Sequence, residues 1–176
     1  DGPGFLVNRL LFPYMNEAIE LLHDGASIHE IERAATAFGM PMGPITLSDV
    51  VGIDTALYAG QVVNRAFAGR AKETRVLGEL AKAGWLGQKT RAGFYGYARG
   101  SRGVDDPAFA AILDKVRGGQ KREIGQEEIT DRLFLAMLVE ATLVLSEGIV
   151  RDPADIDLGL ILGIGFPPWR GGILRW

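Results

Sequence analysis

The chain has 176 residues, of which 47% are hydrophobic and 23% charged, so it is long enough to bury a core in one domain or two small ones. A net charge of -3, with one short basic stretch near residue 120, argues against nucleic acid as a partner. The chain has no cysteine, which excludes thiolate catalysis and thiolate metal sites. The longest uncharged run, LGLILGIGFPPW, is too short to span a bilayer, so no membrane span is expected.

The first predicted element is a long helix over residues 6–22, because apolar residues recur there at helical spacing. Pro13 lies inside this helix and removes a backbone hydrogen bond to the Arg9 carbonyl, which predicts a kink. Asn8 interrupts the apolar stripe. From the stripe alone, Asn8 either faces solvent or bonds to the backbone near the kink.

Capping signals define the next three helices. Ser27 and Glu30 form a capping box that starts the second helix, and Gly39 ends it. Pro44 suits the first turn of a short third helix, and Asp54 is predicted to cap a fourth.

The rest of the chain alternates between helices and glycine-rich loops. RVLGELAKAG predicts a short helix, and GQKTRAGFYGY predicts a compact loop or small hairpin. Residues 98–126 are polar and glycine-rich, which indicates a linker with one short helix after Asp106 and Pro107. Two further helices are predicted over residues 129–148 and 153–163.

An internal repeat is the most informative feature. NRLLFPYMNEAIELLHDGA and DRLFLAMLVEATLVLSEGI align without a gap, and the second copy follows the first by 123 positions, as from Glu17 to Glu140. The MPMGP stretch of the first copy similarly aligns with FPPWRGG of the second. Two copies of one helical unit are therefore predicted, and at equivalent positions the first has Asn8 where the second has Asp131.

No nucleotide-binding motif is supported. Gly163 and Gly165 follow a helical run instead of a strand, and the third glycine of a dinucleotide fingerprint is replaced by Pro168. No strand–helix–strand pattern is visible, so no cofactor-binding residue is assigned. The two histidines, His23 and His29, are spaced neither three nor four residues apart, so no metal-binding residue is assigned.

Three motifs in order over residues 1–97, GFLVNRLLFPYMNEA, PMGPITLSDVVGIDT and GQKTRAGFYGY, closely resemble the C-terminal region of L-3-hydroxyacyl-CoA dehydrogenases. The second copy, with EGIV and GIGFPPWRGG, is similar to the extra C-terminal repeat of the multifunctional α-subunit of fatty-acid β-oxidation complexes. The resemblance implies an all-α fold, with two copies of a helical domain of the 6-phosphogluconate dehydrogenase C-terminal type in a pseudo-twofold pair. The expected division is a first domain at 1–97, a linker at 98–126 and a divergent, truncated second repeat at 127–176.

The resemblance also implies a function: the helical substrate-cleft and assembly portion of an NAD-dependent enzyme that converts 3-hydroxyacyl-CoA to 3-ketoacyl-CoA in β-oxidation. It implies that NAD is bound by a Rossmann domain outside this chain, so the chain alone is expected to be inactive. The implied partners are the acyl-CoA substrate, upstream Rossmann and enoyl-CoA hydratase domains, and a thiolase subunit, in the bacterial cytoplasm.

The resemblance assigns Asn8 a catalytic role, because the asparagine of the family's G-F-x-V-N-R-L-L motif helps to position the substrate oxygen. A carboxamide suits this role, since it is neutral and both donates and accepts hydrogen bonds. Met42 is a candidate substrate-binding residue of the acyl pocket, although core packing explains it equally well.

Two other functions stay open at this stage. One is a non-catalytic helical dimerisation or interaction module. The other is the helical half of a related 3-hydroxy-acid dehydrogenase, which would lack the GFLVNRLL and GFYGY pair. NAD-binding and hydratase sequence upstream of Asp1 would favour the β-oxidation enzyme, and a gene starting near Asp1 would favour the interaction module.

Overall fold

The computed structural model describes residues 2–67, 75–98, 103–119 and 121–176. Across these ranges the chain forms α-helices and two short 3-10 turns, with isolated β-bridges in place of strands. The helices are α1 (Val7–Asp24), α2 (Ile28–Phe38), α3 (Pro44–Val51), α4 (Ile53–Ala66), α5 (Arg75–Lys82), α6 (Pro107–Arg117), α7 (Gln126–Ser146) and α8 (Pro153–Ile164). The prediction of an all-α fold is confirmed. No helix in the described ranges combines the length and the apolar character that crossing a membrane requires.

Helix α1 begins directly after a tight turn. The Phe5 backbone N–H donates to the Gly2 carbonyl at 2.9 Å, and Phe5 itself has a positive φ of 51°. Leu6 occupies the N-cap position, so no side chain caps the first backbone N–H groups of the helix. The helix then continues past Pro13 to Asp24, and the kink at Pro13 stays a prediction.

Local capping is predicted correctly for α2 and incorrectly for α4. Both hydrogen bonds of the Ser27 and Glu30 capping box form, with the Ser27 N–H donating to Glu30 Oε2 at 2.8 Å. Asp54, however, is not the N-cap of α4. Gly52 takes that position with a φ of 101°, a conformation that favours glycine, and the helix therefore starts before Asp54. Asp54 lies in the first turn, where its carboxylate accepts a hydrogen bond from Lys89 Nζ.

The glycine- and aromatic-rich segment forms the compact loop that its composition predicts. Antiparallel bridges join Gly87 to Ala92, Ala92 to Gly96, and Gly96 to Val104. A 3-10 turn over Gln88–Thr90 lies within this loop.

Asp49 of α3 fastens this loop to the helices. Its buried carboxylate accepts hydrogen bonds from the Phe94 N–H at 2.9 Å, the Tyr95 N–H at 3.0 Å and the Tyr97 hydroxyl at 2.8 Å. Gly93 is needed because a Cβ built there would lie 2.0 Å from Asp49 Oδ1. Burial raises the pKa of Asp49, although all three hydrogen bonds oppose that shift.

The range predicted as a linker carries the one helix that was expected, α6, capped by Asp106. Phe109 and Leu113 of α6 are buried in the core, and Arg117 Nε donates to the Leu22 carbonyl at 2.8 Å. This stretch therefore packs against α1 in addition to connecting the two units. The domain boundaries themselves stay a prediction.

Helices α1 and α7, the first helices of the two repeated units, pack directly against each other. Across their contact Arg9 Nε donates to Glu140 Oε1 at 2.6 Å, and Arg132 Nε donates to Glu17 Oε1 at 2.5 Å. Arg132 and Glu140 stand 123 positions after Arg9 and Glu17, so each unit gives its arginine to the other unit's glutamate. This exchange is what a twofold relation between the units produces. The predicted packing of the two long helices within one chain is confirmed.

Candidate functional site

A groove of about 330 Å³ lies between α1, α3 and α4. Its wall is mostly apolar, and α1 contributes one side while α3 and α4 contribute the other. The larger apolar side chains along it are Leu11, Phe12, Met15, Ile19, Val51, Tyr58, Val62, Val63 and Leu77. Such a groove fits an apolar chain better than a charged group, because it offers little to replace the hydration of a charge.

Asn8 lies in the wall of this groove, in the first turn of α1. Its side chain is exposed, which excludes core packing. The first turn of α1 has no acidic residue and no side-chain cap, so within this turn no carboxylate offsets the positive end of the helix dipole beside Asn8. A substrate oxygen at this point would meet both the carboxamide and a local potential that favours negative charge.

Met42 does not lie in the groove wall with Asn8. It lies in the loop between α2 and α3, it is 38% exposed, and it is not part of the groove wall. Its exposure rules out the alternative explanation of core packing. A role for Met42 in substrate binding therefore stays a prediction, and it would require a binding surface beyond the groove.

Arg9, next to Asn8, was not predicted to be part of a site. In the structure it is buried, and its guanidinium lies 4.2 Å from the centre of the Phe67 ring as well as beside Glu140. Burial by itself lowers the pKa of Arg9, but the hydrogen bonds to Glu140 and Glu147 outweigh it and raise the pKa. One pattern in the sequence does point to these ion pairs. Arg9 and Glu17 of the first copy recur 123 positions later as Arg132 and Glu140.

The α4 side of the groove was not anticipated as part of a site. The Tyr58 and Val62 side chains of α4 are both exposed along the groove. Exposed apolar side chains that line a concave surface are typical of a binding site. A larger depression of about 770 Å³ between α4, α5 and α6 contains neither Asn8 nor Met42.

Comparison with curated proteins gives matches over the whole chain. The fatty acid oxidation complex subunit alpha of Acinetobacter baylyi is 43% identical over 183 residues, covering 100% of this chain and 25% of that protein. The protein of the same name from Pseudomonas savastanoi pv. phaseolicola is 42% identical over 182 residues, with 100% and 25% covered. The chain thus spans about a quarter of the length of the curated relatives it matches.

Solved structures show the same helical arrangement. The 3-hydroxybutyryl-CoA dehydrogenase of Escherichia coli K12 aligns with a TM-score of 0.76 at 22% identity, over 98% of this chain and 54% of that chain. The dehydrogenase part of multifunctional enzyme 1 from C. elegans aligns with a TM-score of 0.72 at 25% identity, over 98% and 39%. (S)-3-hydroxybutyryl-CoA dehydrogenase from Ralstonia eutropha aligns with a TM-score of 0.53 at 39% identity, over 56% and 36%.

The family comparison covers the part of the chain that contains the groove. Residues 4–97, more than half of the chain, match the model described as the C-terminal domain of 3-hydroxyacyl-CoA dehydrogenase. That range includes Asn8, the groove and the loop fastened by Asp49. The chain therefore belongs to the family of 3-hydroxyacyl-CoA dehydrogenase C-terminal domains.

Proposed function

We propose that this chain is the helical substrate-cleft and assembly portion of an NAD-dependent L-3-hydroxyacyl-CoA dehydrogenase of fatty-acid β-oxidation. The reaction is the oxidation of a 3-hydroxyacyl-CoA to a 3-ketoacyl-CoA, within a multifunctional hydratase and dehydrogenase subunit. The observation that carries the proposal is the exposed Asn8 in the wall of an apolar groove, inside the range that matches the family. The names and lengths of the curated relatives support the multifunctional subunit.

The groove and Asn8 contact different parts of the substrate. The apolar wall suits the acyl chain, since each square ångström of apolar surface removed from water contributes about 25 cal/mol. The Asn8 carboxamide accepts a hydrogen bond from the 3-hydroxyl of the substrate and donates one to the 3-keto oxygen of the product. Because the carboxamide is neutral in both situations, it orients the oxygen without disturbing the charge of a neighbouring acid or base.

The described residues do not themselves fit NAD. They supply helices and isolated bridges, with no strand that leads through a glycine-rich turn into a helix, which is the arrangement that binds a dinucleotide diphosphate. NAD, which accepts the hydride, belongs on a Rossmann domain elsewhere in the subunit. A thiolase subunit is the proposed external partner, because both relatives are named as a subunit of a complex. The bacterial cytoplasm is the proposed location, because both relatives are bacterial.

The test compares the intact subunit with the 176-residue chain. NADH formation from 3-hydroxybutyryl-CoA is measured for both, and NAD binding is measured by calorimetric titration. We expect activity and NAD binding in the intact subunit and neither in the chain alone. An intact subunit without dehydrogenase activity would contradict the proposal and would favour a helical interaction module. Micromolar NAD affinity in the chain alone would contradict the assignment of NAD to a separate domain.

A further inference from the structure

We propose that Glu140 and Glu147 of the second unit position Asn8 of the first unit, acting through Arg9. The second unit is then part of the catalytic apparatus and not only of the assembly surface. This inference rests on the proposed role of Asn8, which Arg9 follows directly in the chain.

The first step is the fixed orientation of Arg9. Its side chain is 4% exposed, and two carboxylates bind different nitrogens of its guanidinium. Arg9 Nε lies 2.6 Å from Glu140 Oε1, and Arg9 Nη2 lies 2.9 Å from Glu147 Oε2. The charge-assisted hydrogen bond to Glu140 and the ion pair with Glu147, on two sides of a planar fork, fix its orientation as well as its position. Both carboxylates come from α7 or its C-terminal end, in the second unit.

The second step connects Arg9 to its surroundings at the start of α1. A Cβ built on Gly4 would lie 3.3 Å from the Arg9 backbone nitrogen, so the turn before α1 lies directly against the Arg9 backbone. The Arg9 guanidinium also lies against the ring of Phe67, at the C-terminal end of α4. Arg9 therefore contacts three parts of the structure. These are the turn before Asn8, the end of α4 that forms one groove wall, and the carboxylates of Glu140 and Glu147. Loss of those carboxylates would release the first turn of α1, where Asn8 stands.

The repeat provides a built-in comparison. Arg132 occupies the position equivalent to Arg9 and binds Glu17 at 2.5 Å and Asp24 at 2.7 Å. These two carboxylates lie 123 positions before Glu140 and Glu147, as Arg9 lies 123 positions before Arg132. The Arg132 side chain is 23% exposed, and the residue before it is Asp131 instead of an asparagine. It reproduces the ion pairing of the first cluster without a catalytic neighbour. Variants of the two clusters thus separate positioning from simple helix packing.

The experiment uses the intact dehydrogenase with Glu140→Gln as the test variant and Glu17→Gln as its repeat-related control. Loss of the Glu140 charge is expected to lower kcat about 10-fold or more, because a displacement of about 1 Å costs up to 100-fold in rate. KM is expected to stay within about twofold, since the acyl chain keeps its contacts with the groove and a displaced carboxamide mainly costs alignment in the transition state. The control is expected to retain kcat within about twofold of the wild type. Equal losses of kcat in the two variants would overturn the proposal.

A double-mutant cycle shows whether Glu140 acts through Asn8. In an Asn8→Ala background, Glu140→Gln is expected to lower kcat no further, because there is no carboxamide left to position. A full additional loss would overturn the positioning role while leaving the proposed function intact. Normal turnover in Asn8→Ala alone would instead overturn the role of Asn8 and this inference with it. If Glu140→Gln does not fold, Glu147→Gln, at a site that is 32% exposed, replaces it with Asp24→Asn as control.

Discussion

Arg9 binds Glu140 across the contact between α1 and α7, with 2.6 Å between Nε and Oε1, and this buried ion pair joins the two repeated units. We predict that Arg9→Ala lowers the free energy of unfolding by about 3–5 kcal/mol, because it breaks a buried ion pair by removing one of its members. The measurement is urea unfolding of the 176-residue chain. Arg132→Ala is the matched control, and its more exposed ion pairs predict a smaller loss of about 1 kcal/mol. Equal losses for the two variants would contradict the assignment of Arg9 to the core.

Asp49 predicts a second stability effect. Asp49→Ala removes the acceptor for two backbone N–H groups and for the Tyr97 hydroxyl, and a single buried donor without a partner costs about 1–3 kcal/mol. We expect a loss of about 3 kcal/mol in chemical unfolding. Asp54→Asn, at an exposed ion pair, should change stability by less than about 0.5 kcal/mol. An Asp49→Ala chain as stable as the wild type would show that Asp49 does not fasten the loop.

Asp24 predicts a pH dependence. Burial is the largest single influence and raises its pKa, but the hydrogen bond and charge of Arg132, helped by His23 and Arg122, together hold the pKa of Asp24 below its ordinary value of 3.8. The unfolded chain therefore binds a proton at this site more readily than the folded chain. The contribution of Asp24 is fully present above pH 3.8 and is lost as the pH falls through the lowered pKa.

Asp24→Asn should consequently lose less stability than the wild type when the pH is lowered from about 5 to about 3. The measurement is the free energy of unfolding in urea at a series of pH values. The same decrease in the variant and the wild type would contradict the ion pair with Arg132.

The internal pairing of the units predicts the oligomeric state. Because the second unit is covalently linked to the first, its effective concentration is about millimolar, and the α1–α7 contact should form within one chain. Light scattering of the chain should report a monomer near 19.0 kDa. A dimer that exchanges α7 between two chains would contradict this expectation.

The elements that sequence predicted well are set by neighbouring residues. The Ser27 and Glu30 capping box needs only one turn of backbone, and the start of α6 depends on Asp106 and the following proline. The prediction that Asp54 caps α4 was wrong because Gly52 is both the C-cap of α3 and the N-cap of α4. A capping preference alone does not reveal such a shared position.

The features that the sequence did not predict join distant residues. Asp49 meets Phe94, 45 positions away, and the groove combines α1 with α3 and α4. Residue spacing within one helix carries no information about such contacts. Asn8 was identified through a family motif, whereas the stripe of α1 alone gave no reason to separate it from a surface asparagine.

The most direct test of the proposed function is the turnover of the intact enzyme with Asn8→Ala, compared with Asp131→Ala at the equivalent position of the second unit. Removal of a polar group that positions a reacting oxygen typically lowers kcat by about 100- to 1,000-fold, and we predict a loss in this range for Asn8→Ala. Its free energy of unfolding should change by less than about 0.5 kcal/mol, because the side chain is exposed. Asp131→Ala should turn over at the wild-type rate. Normal turnover of the Asn8→Ala enzyme would contradict the catalytic role of Asn8.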